Sequence, residues 1–343
     1  GTHRFPVGDV PFYQGFEEDL CSPIQHERIL AVPPGVSRPL DLCASCTSYV
    51  LIRAMLAFQN VALIGRYNTP QNAEAFHRLN GFLLERGCTV SVEAETARTC
   101  AVDGIPAASY ADIAREADLA VVLGGDGSIL SAARNLAASK VPLVGVNQGR
   151  LGFMTDISVG SMLESVGQIL AGEYSLEERT LLAIEVRSEA SATTTTLALN
   201  DVVVNKGASG RMIELLVHID GEFVYDLRSD GLIIATPTGS TAYALSSGGP
   251  IVHPGVQGFA LVPISPHTLS NRPIVVSDRS VIEITLKRGA DARLNYDGQM
   301  QGDLHEGERI VIRSGPDASV FLHPPGYSYF SMLREKLHWS GIL

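Results

Sequence analysis

The sequence predicts an α/β N-terminal domain built on an open parallel sheet, followed by a β-rich, sandwich-like C-terminal domain. Between residues 56 and 180, short apolar runs alternate with amphipathic stretches, which is the order of parallel strands covered by helices. Beyond residue 181, strand patterns follow one another with little helix between them, which is typical of layered antiparallel sheets. At 343 residues the chain is long enough for two such cores.

The first half of the pattern is a regular alternation. Residues 61–65 are an apolar run of the kind that is buried on both faces of a parallel sheet. Thr69 supplies an N-cap, Pro70 opens a helix and Gly87 ends it. Further strands are expected at 89–92, 119–123 and 141–146, and helices at 110–117 and after residue 128. These elements predict an α/β nucleotide-binding domain over residues 56–180.

The second half is predicted to be a β-rich domain over residues 181–325. The dipeptide Asp220-Gly221 indicates a tight hairpin between two of its strands. Strands are expected at 181–186, 196–205, 212–219, 223–227, 232–235 and 281–286. Residues 326–343 form a C-terminal tail, whose amphipathic stretch at 329–337 is predicted to be a helix that packs on the first domain.

Residues 1–55 are interpreted as an extension that is not part of the catalytic unit. They contain no methionine before Met55 and show no sustained helical or strand period. We expect a chain that begins at Met55 to fold and to retain activity. Cys43 and Cys46 form a CxxC pair, but no second ligand pair follows, so no zinc site is assigned.

Composition excludes several function classes. A formal net charge of −11 argues against a nucleic-acid partner, since phosphates would be repelled. The five cysteines are an odd number and do not indicate a secreted disulfide framework. No run of apolar residues has the length of a membrane span. We therefore expect a soluble, cytoplasmic protein without a membrane partner.

A glycine-rich loop between a predicted strand and a predicted helix is the first candidate site: Gly124, Gly125, Asp126, Gly127 and Ser128. Its glycines let backbone amides approach a phosphate at a helix N-terminus. A carboxylate beside a polyphosphate needs a bridging cation or a proton, so Asp126 is a candidate general base or metal-water ligand. The alternative is a glycine turn in which Asp126 only caps the helix. The sequence contains no GxxxxGK[ST] motif, and the loop lacks the third glycine of GxGxxG.

A second candidate site is the segment 236–250, which is dense in Ser, Thr and Gly and lies between apolar strands. Such residues allow close backbone approach to a ligand. A plain surface loop is the alternative, and the flanking strands favour the ligand loop.

Together these segments resemble the NAD kinase family, in its bacterial, NAD-selective type. The resemblance extends from about residue 57 to the C-terminus. It rests on residues 124–127, 147–153, 200–201, 229–231, 236–250, 266–269, 297–299 and 327–330. Lipid kinases and phosphofructokinases share the first of these motifs alone, so the combination with 236–250 is the specific signal.

The resemblance implies ATP-dependent phosphorylation of the 2′-hydroxyl of the adenosine ribose of NAD, giving NADP and ADP. Asp126 would accept the proton, with Gly127 at the phosphate. Asn200 and Asp201 would bind the adenosine end of NAD, and Asp230 would contact the nicotinamide ribose half. The implied co-substrate is ATP with Mg²⁺, and no protein ligand of the metal is assigned with certainty. The implied assembly is a homodimer or homotetramer.

Further residues are assigned by the resemblance alone. The dinucleotide would be wrapped by Thr241, Ala242, Tyr243, Ala244, Leu245 and Ser246. Arg211 and Gln299 would be binding residues, and Arg150 could neutralise phosphate charge. Arg228 is expected to make the enzyme prefer NAD over NADH, either by pairing with Asp230 or by shaping the pocket with its bulk.

Two other functions remain open from the sequence. One is a lipid or sugar kinase with the same glycine loop, against which Asn200, Asp201 and the segment 241–246 argue. The other is a non-catalytic dinucleotide sensor, which would need no carboxylate at position 126. Formation of NADP from ATP, Mg²⁺ and NAD separates the three.

Overall fold

The computed structural model describes residues 56–65, 70–100, 102–149, 152–187, 194–208, 210–268 and 270–339. The extension at 1–55, with Cys43 and Cys46, lies outside the described residues, as do the predicted N-cap Thr69 and the phosphate candidate Arg150.

The first part of the described chain alternates strands and helices, as predicted. Its strands are β1 Asn60–Gly65, β2 Thr89–Glu93, β3 Ala107–Ala108, β4 Leu119–Leu123, β5 Leu143–Asn147 and β6 Ile157–Ser158. Its helices are α1 Pro70–Glu85, α2 Ala94–Thr99, α3 Tyr110–Glu116, α4 Asp126–Leu136 and α5 Met162–Leu170. All pairs among these six strands are parallel. The buried runs of β4 and β5 explain why they form the centre of this sheet.

The second part is mainly β. Its strands are β7 Ser175–Arg187, β8 Thr194–Ala198, β9 Asp201–Asn205, β10 Ile213–Ile219, β11 Glu222–Ser229, β12 Gly231–Ala235, β13 Gly258–Ile264, β14 Ile274–Ser277, β15 Ile282–Arg288, β16 Ala292–Tyr296, β17 Gln299–Leu304 and β18 Arg309–His323. Its helices are the single turn α6 Tyr243–Ser246 and the C-terminal α7 Tyr329–Leu337. The hairpin turn between β10 and β11 is at Asp220 and Gly221, both at positive φ, as its sequence predicts.

The strands form two sheets. The larger has twelve strands in the order β11-β10-β15-β18-β5-β4-β1-β2-β3, with β6 on β5 and β7 and β8 beyond β18. The smaller has six antiparallel strands in the order β14-β13-β12-β9-β16-β17. Strand β18 joins the two parts, because its Phe321 pairs in parallel with Leu143 of β5 while its earlier residues pair antiparallel with β15 and β7.

The two sheets pack face to face in the β-rich part and bury one apolar core between them. That core takes alternate residues of strands from both sheets, such as Leu215 of β10 and Val204 of β9. Leu322 of β18 instead belongs to the core under the helices. The predicted fold class, a parallel α/β sheet followed by a sandwich-like β-rich part, is confirmed.

The structure differs from the sequence prediction at several elements. The strand expected at 196–205 is two strands, β8 and β9, with a break at Leu199 and Asn200. Helices α2 and α5 and strands β3, β6, β14, β16, β17 and β18 were not predicted, and β13 was expected only as an apolar strand after the segment 236–250. Helix α7 buries Tyr329, Met332 and Leu333 against Phe153 and Ile251, so it contacts a loop from each part of the chain. None of the helices among the described residues has the length and apolar character needed to cross a membrane.

Candidate active site

Asp126 is the first residue of α4, at the carboxyl end of β4. Its carboxylate accepts two backbone hydrogen bonds from the loop after β5, one from the amide of Phe153 to Oδ2 at 3.1 Å and one from the amide of Met154 to Oδ1 at 3.2 Å. Each carboxylate oxygen has two lone pairs, so one on each oxygen remains for a proton or a ligand. The side chain is therefore fixed in place and is still able to accept a proton or a hydrogen bond from a ligand.

Gly152 gives this loop its close approach to Asp126. A Cβ at Gly152 would collide with Asp126 Oδ1 and with the hydroxyl of Thr155. The amide of Gly152 donates to Thr155 Oγ1 at 3.1 Å, which closes the loop on itself. A residue without a side chain is needed here because the carboxylate occupies the space of a Cβ.

The predicted phosphate loop has the geometry of a helix N-terminus open to a ligand. Gly125 is the N-cap of α4, and no side chain caps the helix there. Gly124 donates to Val146 O at 2.9 Å, and a Cβ on it would lie 2.6 Å from Ser128 Oγ. A Cβ on Gly127 would meet nothing within 4 Å, so the surface over this residue is open. The uncapped amides are suited to a phosphate group.

In the β-rich part, the carboxylate of Asp297 organises the backbone before β9. It accepts from the amides of Leu199 at 3.0 Å, Asn200 at 2.7 Å and Asp201 at 3.3 Å. It also forms an ion pair with Arg134 in the last turn of α4, the helix that begins at Asp126. The Asp297 side chain is fully buried. This contact ties the helix of the first candidate site to the strand of the second.

A cavity of about 350 Å³ lies beside this backbone. Its lining residues are Asn200, Asp201, Val203, Asn205, Ala242, Tyr243, Asn295, Asp297 and Gly298, which brings three of the predicted motifs together. Asp126 is not among them.

Two polar side chains of this cavity, those of Asn200 and Asp201, are suited to hydrogen bonds with a ligand. The side-chain oxygen of Asn200 is buried without a hydrogen-bond partner. Such a group carries a desolvation cost that a ligand donor would offset. Burial, with the neighbouring charge of Asp297, raises the pKa of Asp201 to about 7. Near neutral pH Asp201 therefore carries a proton part of the time and can donate a hydrogen bond to a ligand oxygen.

The segment from Thr236 packs against the same backbone. The carbonyl of Asn200 accepts from Thr236 N at 2.9 Å, and a Cβ on Gly239 would collide with that carbonyl. The 3-10 turn Gly239–Thr241 then leads into α6. The residues of segment 241–246, which were predicted to wrap the dinucleotide, differ in exposure. Ala244 is fully buried, Thr241, Ala242 and Leu245 are half-buried, and Tyr243 and Ser246 are exposed. A buried anchor with exposed neighbours is suited to presenting a surface to a ligand.

The remaining predicted residues lie around β9, β11 and β17. Asp230 forms an ion pair with Lys206 at 2.7 Å, so the pairing of Asp230 with Arg228 offered from the sequence is wrong. Arg228 is exposed on β11, and Arg211 is exposed just before β10. Gln299 Oε1 accepts from Arg134 Nη2 at 3.5 Å, at the long limit of a hydrogen bond.

Four polar residues of this region were missed by sequence reasoning. They are Arg134, Lys206, Asn205 and Asn295, of which the last two share a hydrogen bond of 2.9 Å in the wall of the cavity. Asn295 lies two residues before the Asp297-Gly298 pair, so that motif could have drawn attention to it. For Arg134 and Lys206 the sequence carries no signal, because their partners are distant in the chain.

Comparison with known proteins finds two family domains in the chain. The profile of the ATP-NAD kinase N-terminal domain matches residues 61–174, and that of the ATP-NAD kinase C-terminal domain matches residues 199–323. Relatives include the NAD kinase of Aromatoleum aromaticum, 55% identical over 285 residues, which are 83% of this chain and 95% of that protein. The NAD kinase of Nitrosospira multiformis is 51% identical over 286 residues, 83% of this chain and 97% of that protein.

Two solved structures are similar in fold. The crystal structure of yeast NADH kinase complexed with NADH has a TM-score of 0.77 and 28% identity, covering 83% of this chain and 89% of that one. The NAD kinase from Archaeoglobus fulgidus in complex with ATP has a TM-score of 0.65 and 27% identity, covering 82% and 99%. With both domain profiles matched and half of the residues identical to bacterial relatives, the chain belongs to the ATP-NAD kinase family.

Proposed function

We propose that Asp126 is the general base of this enzyme and that the cavity beside Asn200 and Asp201 receives the dinucleotide. As a member of the ATP-NAD kinase family, the chain phosphorylates NAD to NADP with ATP. The observation that carries the residue assignment is the pair of backbone hydrogen bonds on the Asp126 carboxylate, which fix it beside an uncapped helix N-terminus.

The chemistry follows from this placement. The 2′-hydroxyl of the adenosine ribose of NAD gives its proton to Asp126 as the oxygen attacks the terminal phosphorus of ATP, and ADP leaves. Positioned general bases contribute about 10²–10⁴-fold to rate. The amides of the loop from Gly124 to Ser128 stabilise phosphoryl charge, and most of the catalysis of phosphoryl transfer is positioning of this kind.

The dinucleotide assignment rests on the cavity. The unpartnered Asn200 oxygen accepts from the exocyclic amine of adenine, and Asp201 contacts a ribose hydroxyl. Residues Thr241 to Ser246 wrap the molecule, with Ala242 and Tyr243 in the cavity wall. Asp230, held by Lys206, meets the nicotinamide ribose half, and Arg211, Arg228 and Gln299 complete the binding set.

The metal in this proposal is Mg²⁺, bound with ATP, which neutralises phosphate charge when present. Mg²⁺ is usually held by substrate phosphates and water with only one or two carboxylates. Within the described ranges, no three His, Cys, Asp or Glu side chains are grouped to hold a metal. The free lone pairs of Asp126 fit a contact to a metal-bound water, so the residues present suit a metal that arrives with its nucleotide.

The proposal includes two features that come from family membership. They are assembly into a homodimer or homotetramer and location in the cytoplasm, and the former is tested directly by light scattering. The dinucleotide sensor is not favoured, because a sensor has no need for a carboxylate clamped at a phosphate loop.

The test is the variant Asp126→Asn. The amide cannot take the proton, and its nitrogen cannot accept one of the two loop hydrogen bonds, so we expect turnover to fall by about 10²–10⁴-fold or more while NAD binding is kept. NADP formation from ATP, Mg²⁺ and NAD measures turnover, and titration calorimetry measures binding. Asp103→Asn, at an exposed position of the same part of the chain, is the control and should be unchanged. Wild-type turnover in Asp126→Asn would remove Asp126 from the role of base.

A further inference from the structure

A buried histidine near the end of β18 lies outside the site described above. The side chain of His323 is 4% exposed, and its ring stacks on Tyr327 with 3.7 Å between ring centroids. Its Nδ1 lies 2.9 Å from Asp156 Oδ2, and its Nε2 lies 3.1 Å from Glu177 Oε2. Neutral imidazole has one N–H, so one ring lone pair would face a carboxylate oxygen. Both contacts are favourable only if His323 is an imidazolium.

Charge in the surrounding cluster supports the imidazolium. Burial alone would lower the pKa of His323, but the hydrogen bonds and charges of Asp156 and Glu177 outweigh it, and the pKa is raised. The other groups facing the ring region are Arg179 on β7, Tyr327, whose pKa is raised by burial, and Tyr329 on α7. A protonated His323 makes the cluster neutral, with two cations and two carboxylates.

One end of this cluster reaches the loop that fixes Asp126. Asp156 lies in the loop after β5, two residues beyond Met154, whose amide donates to Asp126. Phe153, one residue earlier, donates to the other oxygen of the same carboxylate. A shift of Asp156 therefore changes the position of the amides that hold the base.

The other end reaches the dinucleotide segment. Glu177 Oε1 lies 2.8 Å from Nε of Arg179, which is 3% exposed and stands over the ring of Phe321. Arg179 Nη1 donates to Thr238 Oγ1 at 3.2 Å. The carbonyl of Thr238 in turn accepts from the hydroxyl of Thr241 at 3.1 Å, where the wrapping segment begins.

We propose that His323 is a positioning residue that, as an imidazolium, couples the loop holding Asp126 to the segment beginning at Thr241. The contacts run from Asp156 through His323, Glu177 and Arg179 to Thr238, and the contact between Glu177 and Arg179 is an ion pair in which Arg179 Nε is not aligned for a hydrogen bond. Loss of the His323 proton leaves an unbalanced buried negative charge and one repulsive contact, so the two loops separate. This inference rests on the proposed function, since it assumes that Asp126 and the 241–246 segment act on the same substrate.

The pH dependence has a defined sign. The folded-state pKa of His323 is raised above 6.5, so the coupling is complete below pH 6.5 and is lost as pH rises through the raised pKa. Activity that depends on the coupling therefore declines on the alkaline side.

The test uses a pair of variants that remove and then restore the contacts. His323→Gln offers one donor and one acceptor, so one carboxylate is left facing an oxygen. We expect kcat/KM for NAD to fall by about 10–100-fold, with the alkaline decline absent. In His323→Gln/Asp156→Asn, the glutamine donates to Glu177 and accepts from Asn at position 156. We expect this double variant to recover most of kcat/KM with a flat profile between pH 6 and 9.

Tyr327→Phe is the matched control, because the hydroxyl of Tyr327 is buried without a partner and the stacked ring is kept. Its pH profile should be that of the wild type. An unchanged kcat/KM and pH profile in His323→Gln, with an active wild type, would overturn the inference and leave the proposed function standing. An inactive wild type would instead contradict the proposed function.

A second measurement does not depend on the folding of a variant. In ¹⁵N-histidine NMR spectra of the wild type recorded over a range of pH, we expect one ring to keep both nitrogens protonated above pH 6.5, the ordinary pKa of histidine, because the pKa of His323 is raised. Nine histidines are present in the chain, and the absence of any ring that loses its second proton above that value would overturn the inference.

Discussion

The two candidate sites are held in opposite ways. At Asp126, two backbone amides of a neighbouring loop hold a side chain. At Asp297, a side chain holds three backbone amides, which belong to Leu199, Asn200 and Asp201. The comparison teaches that the first site depends on space for a close backbone approach, whereas the second depends on one buried charge.

The largest expected effect is a loss of stability when the hydrogen bonds of the second site are broken. In Asp297→Asn the amide nitrogen cannot accept from the amides or from Arg134, which is left as an uncompensated charge. Removal of one partner of a buried ion pair costs about 3–5 kcal/mol, so we expect that loss in the free energy of unfolding, measured by urea denaturation.

Asp303→Asn in the same β16–β17 hairpin is the control. Asp303 is 70% exposed and lies 3.8 Å from Arg293, so we expect a change below about 0.5 kcal/mol. Equal losses in the two variants would show that the Asp297 clamp has no special contribution.

The next largest effect is expected at the first site, where the test is purely steric. In Gly152→Ala the added methyl group collides with the Asp126 carboxylate and displaces it. Misplacement of a catalytic group by about 1 Å costs on the order of 100-fold, so we expect kcat to fall by that factor. Gly149→Ala is the control, because a Cβ there meets nothing within 4 Å. If kcat were the same in both variants, the tight approach would be unimportant.

The smallest expected effect is a change in the selectivity between NAD and NADH, and it concerns Arg228. Arg228 is exposed on β11, and Asp230 is paired with Lys206. The explanation left for selectivity is that the bulk of Arg228 shapes the pocket for the flat oxidised nicotinamide ring. We expect Arg228→Gly to shift the NAD to NADH ratio of kcat/KM by at least about tenfold toward NADH.

The comparison variant for this prediction is Arg288→Gly, which removes another exposed arginine from a strand of the same sheet. Its ratio should equal that of the wild type. A ratio that stays constant in Arg228→Gly as well would exclude Arg228 from selectivity.

Sequence alone predicted what depends on local pattern. The buried runs of β4 and β5, the hairpin at Asp220-Gly221 and the helix at 329–337 all follow from neighbouring residues. The glycine loop was placed correctly between strand and helix for the same reason. Periodicity and turn chemistry are short-range signals, and these elements are short-range structures.

The rest depends on contacts between residues far apart in the chain. A continuous strand was expected at 196–205, but Asp297, nearly one hundred residues later, takes the amides at Leu199 to Asp201 and interrupts it. The amides that hold Asp126 belong to Phe153 and Met154, whose side chains give no hint of this use. The pairing of Asp230 with Arg228 was wrong because Lys206, which directly follows β9, is brought beside Asp230 by the pairing of β9 with β12.

Strand β18 has a consequence for the order in which the chain folds during synthesis. The α/β part is made early, but β5 receives Phe321 only when the ribosome has added roughly 180 further residues, which takes on the order of 10 to 40 seconds at about 5–20 residues per second. During that interval the part of β5 around Leu143 has no strand partner on the side away from β4, although β6 already pairs with Val146 and Asn147, and unpaired strand edges recruit other chains. We therefore expect nascent chains of this protein to bind chaperones until β18 has emerged from the ribosome.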